Sequence, residues 1–443
     1  MAKRTRRKRL PEPVSDVTIE SLSHDGRGVA HLDGKAVFID GALPGEIVSF
    51  EYLVARKKFD EGRVTVVQQA SPDRVEPKCP HFGLCGGCSL QHMEAGAQIR
   101  AKQQVLLDNL AHIGKLEPGT LLPPITGQIW GYRTKARLGA KDVIKKGRVL
   151  VGFREKRSAY VADLHRCEVL HPSVGEKFQE LSALLEQMDA RARIPQIEVA
   201  VAGEITALVF RHLDPLTDRD TGLLEQFAAE HQFQVYLQPA GPDSIEPLSS
   251  DHSSLSYRLP AQGIEIHFRP TDFTQINTGI NEQMIARVLG LLALQASDRV
   301  LDLFCGLGNF TLPMAQQADL VVGVEGEAGL VSRARENAVA NAIENATFHT
   351  ANLVEDHIEA SWVGEGYNKV LLDPPRSGAA EVLDLLGNVA PQRIVYVSCH
   401  PGSLARDAGV LVHEKGYRLL AAGVMDMFPH TAHVESIALF EPR

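Results

Sequence analysis

Ser398-Cys399-His400-Pro401 places a thiol at the end of a strand-like run. A cysteine emerging there suits a nucleophile, because the thiolate is the reactive form and a strand end leaves it reachable. The plainer alternative is a small buried hydrophobe. Phe428-Pro429-His430-Thr431-Ala432-His433-Val434-Glu435 brings two imidazoles and a carboxylate to the start of the last strand. Either type can serve as general acid or base when held against a substrate, and a solvated loop is the alternative. Asp373-Pro374-Pro375-Arg376 follows another strand. Its prolines fix the backbone and aim Asp373 over the strand ends, where open α/β sheets bind ligands.

Asp302-Leu303-Phe304-Cys305-Gly306-Leu307-Gly308-Asn309-Phe310 ends a further strand. Glycines in such a turn let a ligand approach backbone amides at a helix start. Glu325 closes the next strand, about 20 residues on, where an acid can accept hydrogen bonds from a ribose diol. The combination points to an adenosine-containing cofactor. Thr311 stands where a dinucleotide site has its third glycine, which favours S-adenosylmethionine over NAD. A glycine turn beside an exposed acid is the alternative. Enzymes that methylate exocyclic amines resemble the Asp373 motif, but typically carry an aromatic where this chain has Arg376.

Cys79, Cys85 and Cys88 fall within one glycine-rich loop, and Cys167 is the only cysteine left outside the strand-end motifs. Four thiolates could hold zinc or an iron–sulfur cluster, and spacing does not choose between them. No export signal and no apolar run of about 18 residues is evident, so a cytoplasmic protein with no membrane partner is expected. In that reducing setting the six cysteines are ligands or nucleophiles sooner than disulfides.

The fold class these motifs require is multidomain α/β. From about residue 280, helices at 281–294 and 328–341 alternate with strands at 299–304, 320–325, 347–350, 369–372 and 393–398. Such alternation implies a mostly parallel sheet. Two more strands, 417–425 and 434–440, follow. Near the start, strands at 17–22, 37–39, 46–54 and 62–68, separated by glycine turns, suit a small oligonucleotide-binding barrel. The expected division is a basic tail over 1–11, a barrel over 12–70, a cluster-bearing central α+β domain over 71–270, and a Rossmann-like domain over 271–443. A helix near 94–113 is expected to pack on the last of these, and 239–247 reads as a polar loop. The chain has 443 residues and a net charge of −9, which is unusual for a nucleic-acid binder. Positive charge is local, however. It gathers in the tail Lys3, Arg4, Arg6, Arg7, Lys8 and Arg9, and in an aromatic-basic stretch from Trp130 through Tyr132, Lys135 and Phe153 to Arg157. Such stretches suit RNA phosphates and bases.

At these motifs the chain resembles the bacterial RNA uracil-C5 methyltransferases over nearly its whole length. Ser23-His24-Asp25-Gly26-Arg27-Gly28 is similar to the signature of their TRAM barrel, and Ser89-Leu90-Gln91-His92 follows the cysteine loop as in their iron–sulfur segment. Trp130-Gly131-Tyr132-Arg133 and Phe273-Thr274-Gln275-Ile276-Asn277 also match. The resemblance implies a [4Fe-4S] cluster on Cys79, Cys85, Cys88 and Cys167. It implies S-adenosyl-L-methionine contacts at Gln275, Phe304, Asn309, Glu325, Asn352 and Asp373, a nucleophile at Cys399 and a proton acceptor at Glu435. It implies as partner 23S rRNA, at uracil 1939. A monomer with no obligate protein partner is expected. Family members acting on transfer RNA are a rival, and a non-catalytic RNA-binding iron–sulfur protein a more distant one. One position departs: relatives often carry Asn after the cysteine, where this chain has His400.

Overall fold

The computed structural model describes residues 10–353, 361–364 and 366–443. The basic tail through Arg9 lies outside them. The chain divides into two compact units, one of residues 1–102 with 429–433, the other of 103–428 with 434–443.

In the first unit six strands form one sheet, ordered Val14–Thr18, Ile47–Ala55, Phe59–Gln69, Lys35–Asp40, Gly28–Leu32, Ser21–Leu22. The two edge strands belong to one continuous stretch, so the sheet closes on itself as a barrel. The expected strand 17–22 is therefore split as the chain passes from one edge to the other. Val17, Ile19, Val37, Ile39, Val48 and Phe50 fill the interior. Gly28, in a strand the sequence reading did not mark, lets the barrel wall close. A Cβ there would lie 2.7 Å from that of Ala42. Gly26 needs to be glycine twice over: its φ is +81°, and a Cβ would press on Leu90, Ser89 and Ala432 at 3.1–3.3 Å. The segment Pro429–His433 belongs to this unit. Ser89 and Leu90 N–H both donate to the His430 carbonyl at 2.9 Å, and the His430 N–H donates to Gln98 Oε1 at 2.8 Å.

The second unit contains two large sheets. One, of six strands, is ordered Glu246–Pro247, Phe233–Gln238, Ile205–Arg211, Gln196–Ala202, Lys135–Val143, Arg148–Gly152. The stretch read as a polar loop thus supplies a short edge strand. Helices Phe178–Gln187 and Asp218–His231 cover this sheet, the second opened by a capping box between Thr217 and Asp220.

The other sheet has eight strands. Its order is Ala346–Thr350, Leu320–Glu325, Arg299–Leu303, Lys369–Leu372, Arg393–Ser398, Glu435–Pro442, Tyr417–Met425, Thr120–Leu121. The first five are parallel, and all but the edge strand Ala346–Thr350 are largely buried and rich in apolar residues. From Arg299–Leu303 the chain winds outward on one side, then returns to wind outward on the other. The order therefore reverses between Leu303 and Leu372, the kind of place above whose strand ends open α/β sheets bind ligands. Glu435–Pro442 runs antiparallel to both neighbours. It consequently presents its first residue at the edge where the parallel strands present their last. The helix Ala95–Asn109 continues as a π turn, Leu110–Gly114, which packs on the helix Pro401–His413 of this unit.

Candidate active site

Each parallel strand of the large sheet delivers a motif to the same edge. Phe304 follows Leu303 with φ +68°, a left-handed conformation that is strained for a bulky side chain and clusters at functional sites. Its N–H donates to the Val324 carbonyl at 2.8 Å. Gly306, at φ +54°, has open space where a Cβ would stand. Glu325 Oε2 accepts from the Gly306 N–H at 3.2 Å, so the acid and the glycine turn are held together. Asn309 is pinned from behind. Its Oδ1 accepts from the Tyr257 hydroxyl and from Asn281 Nδ2, and its Nδ2 donates to Asn281 Oδ1, all at 2.9 Å. Asn352 lies exposed two residues beyond Thr350.

Gln275 occupies the loop before the helix Thr278–Leu292, which Asn277 caps. Asp272 in this loop accepts from Arg333 at 2.6 Å, and Arg333 belongs to the helix Ala328–Ala340 that follows Glu325. The Gln275 loop is thereby tied to the helix that follows Glu325.

Asp302 and Asp373 carry the main electrostatic signal. Asp302 is fully buried; one carboxylate oxygen accepts from the Thr311 hydroxyl at 2.5 Å and the other has no hydrogen-bond partner among the described residues. Burial pushes its carboxyl up to about 8, with the charges of Asp373 and Glu325 adding to the rise. Asp373, partly exposed at the strand end but surrounded by protein, is pushed up to about 7 by desolvation. Carboxylates kept so far from water favour a cationic ligand. The methyl donor S-adenosylmethionine carries a sulfonium and an ammonium, so these residues fit it. Asp302 was not singled out from sequence as a contact, though it heads the glycine motif. Tyr257 and Asn281 lie too far away in the chain for any sequence signal.

Cys399 and Glu435 meet across the sheet. Ser398 pairs with Ser436 in antiparallel register, so the next residue of one strand and the preceding residue of the other are opposed. The Ser436 hydroxyl donates to the Ser398 carbonyl at 3.1 Å. Cys399 is half-buried, and Glu435 is buried at 5% exposure. Burial raises the Cys399 pKa, as do the charges of Glu435 and Asp373, while Arg376 opposes them. Glu435, Asp373 and Arg376 thus all act on the Cys399 thiol through space.

His400 takes the helix-capping position. Its Nδ1 accepts from the Ser403 N–H at 3.1 Å, so in the neutral ring the proton belongs on Nε2. Asn is a strong cap by the same kind of bond, so the departure preserves the local geometry. The Ser403 hydroxyl donates to the Arg376 carbonyl at 2.7 Å, joining the cysteine loop to the Asp373 loop. Buried Asp407 fastens that loop further: it accepts from the Ala379 N–H at 2.8 Å and the Tyr396 hydroxyl at 2.7 Å.

Cys79, Cys85 and Cys88 belong to the first unit and Cys167 to the second. The Gly87 N–H donates to Cys85 Sγ at 3.4 Å. Burial raises the Cys85 pKa, that bond lowers it, and the Cys79 charge raises it. Thiol sulfurs with an amide donor suit iron–sulfur or zinc ligation. Among the described residues no group of three or more His, Cys, Asp or Glu side chains is gathered to hold a metal ion.

The aromatic-basic stretch is only partly available for RNA. Tyr132 is buried at 5% exposure, and Phe153 packs edge-on to Phe178, so both serve the core.

A family model described as tRNA (Uracil-5-)-methyltransferase matches residues 163–443, well over half the chain. The chain belongs to this family. A TRAM domain model matches residues 13–50, within the barrel. Among relatives of this uracil-5-methyltransferase is the 23S rRNA (uracil(1939)-C(5))-methyltransferase RlmD of Xanthomonas campestris, 54% identical over 99% of both chains. The protein of the same name from Methylococcus capsulatus is 54% identical over 100% of both. A solved structure, Pyrococcus abyssi tRNA (uracil-54, C5)-methyltransferase in complex with S-adenosyl-L-homocysteine, superposes with a TM-score of 0.74. It is 23% identical and covers 96% of this chain and 99% of that one, which establishes a shared fold.

Proposed function

We propose that this chain, an RNA uracil-C5 methyltransferase by family, methylates uracil 1939 of 23S rRNA through a covalent Cys399 adduct. The opposition of Cys399 and Glu435 across the Ser398–Ser436 pair carries the mechanistic part. The names of relatives 54% identical over 99–100% of both chains support the target. No helix among the described residues is long and apolar enough to cross a membrane.

C5 of uracil is a weak nucleophile. The Cys399 thiolate adds to C6, and the electrons of the C5–C6 double bond move onto the carbonyl oxygen, giving carbanion character at C5. Gln275, Phe304, Asn309, Glu325, Asn352 and Asp373 would hold S-adenosylmethionine, which would supply the methyl group to C5. Glu435 then takes the C5 proton, the C6–sulfur bond breaks, and the double bond re-forms as Cys399 leaves. Because burial and Glu435 raise the Cys399 pKa, the resting residue is held as the thiol, with Arg376 favouring the anion; its proton passes to solvent before the thiolate adds to C6, which leaves Glu435 unprotonated for the C5 proton. The base must leave its stack to reach Cys399. A [4Fe-4S] cluster on Cys79, Cys85, Cys88 and Cys167 belongs to the proposal as a bound group, and no catalytic step depends on it.

The test is to incubate the protein with 23S rRNA lacking the modification and map 5-methyluridine by mass spectrometry. One new methyl group at uracil 1939 is expected. Methylation confined to transfer RNA would favour the rival target.

A further inference from the structure

A cavity of about 450 Å³ lies in the second unit beside the strand Lys135–Val143. Ala140 and Leu150 are buried parts of its lining; Lys141, Lys146, Arg154 and Tyr160 are exposed parts. None of these residues belongs to the methyl-transfer site. The covering element is a hairpin, residues 153–162. Ala162 N–H donates to the Phe153 carbonyl and Glu155 N–H to the Tyr160 carbonyl, both at 2.9 Å, while Arg154 bridges to Val161. Arg157 at φ +61° turns the chain. Gly139 lets the hairpin lie close, since a Cβ there would stand 3.0 Å from Val161 Cγ2.

This hairpin keeps Tyr160 at 76% exposure, so the ring contributes little to the core. The mouth is basic within a chain of net charge −9. Lys141 and Arg154 are exposed, and nearby ion pairs run instead from Lys146 and Arg148 to Asp163, at 2.7 and 3.6 Å. Glu155 is the acid in the lining. An apolar hollow of this size, with cations and an aromatic at its mouth, is what a flexible single strand requires: charge for phosphate and a π face for a base. Tyr160 lies just beyond Arg157, where the aromatic-basic stretch ends.

We propose that this cavity is a second nucleotide-binding site, taking an unpaired nucleotide of the RNA substrate. Its base stacks on Tyr160 and its phosphates lie on Lys141 and Arg154. The inference rests on reading the chain as an RNA enzyme.

The probe is a fluorescein-labelled single-stranded RNA dodecamer of mixed sequence, titrated into the full chain by anisotropy with no methyl donor present. The double variant Lys141→Ala/Arg154→Ala is expected to bind about tenfold more weakly, with a salt slope reduced by about 1.4, as for two single-strand phosphates. Tyr160→Ala is expected to lose about fivefold and Tyr160→Phe to keep wild-type affinity, since stacking needs the ring alone. Circular dichroism checks that each variant is folded. Unchanged affinity and salt slope in the folded double variant would overturn the site. So would tighter binding of a glutamate-rich peptide than of the RNA. A protein that binds RNA through this cavity yet methylates no uracil keeps the site and loses the catalytic reading.

Discussion

Burial opposes the charges that matter most at the residue scale. Asp302 and Asp373 stand at about 8 and about 7, so near neutral pH both are substantially protonated in the ligand-free protein. A cationic ligand prefers their ionised forms. Affinity for S-adenosylmethionine is therefore expected to rise from about pH 6 to about pH 8, with protons released on binding. Calorimetry in two buffers of different ionisation enthalpy measures both effects. Asp373→Asn should weaken binding about tenfold or more and reduce the pH dependence. An affinity that stays flat across this range would contradict the assignment of these carboxylates. The same scale explains what sequence could not show. Asp302 is visible in the motif, but its unpartnered oxygen exists only once Thr311 has claimed the other.

Strand ends do the positioning at the element scale. The strands Leu320–Glu325, Lys369–Leu372, Arg393–Ser398 and Tyr417–Met425 were legible at the bounds the structure shows, because buried strands read as continuous apolar runs closed by polar or proline punctuation. The edge strand Thr120–Leu121 was not legible. Only two residues long and remote in sequence, it forms because the Tyr417–Met425 edge offers it hydrogen bonds. The reversal of Glu435–Pro442 was likewise hidden, although it brings Glu435 to Cys399. Just beyond Cys399, His400 caps the helix Pro401–His413. His400→Ala is expected to cost about 1 kcal/mol in urea unfolding and to lower kcat, while His400→Asn keeps both. An Asn variant as impaired as the Ala variant would show that His400 does more than cap.

Taken as a whole molecule, the chain joins a closed barrel, a six-stranded sheet and an eight-stranded sheet, and the proposed transfer chemistry lies at the strand ends of the last. The motif ending in Glu435 is divided between units: Pro429–His433 belongs with the barrel and the cysteine loop, whereas Glu435 belongs to the large sheet. Sequence spacing showed a cysteine-rich loop but not its ligand, because zinc and iron–sulfur clusters accept the same thiolates. Anaerobically purified protein is expected to carry about four iron and about four sulfide per chain, as one [4Fe-4S] cluster does. Cys85→Ala should lower both. Stoichiometric zinc with no labile sulfide would refute the cluster.

The central claim is that Cys399 forms a covalent bond to uracil C6, which Glu435 then allows to break. The most direct measurement is intact-mass spectrometry of Glu435→Gln protein after incubation with S-adenosylmethionine and a short RNA containing the target uracil. An added mass of the RNA plus one methyl group, mapped to the peptide bearing Cys399 and absent from Cys399→Ala, is the predicted result. Full methylation by Cys399→Ala protein, or an adduct on any other residue, would contradict it.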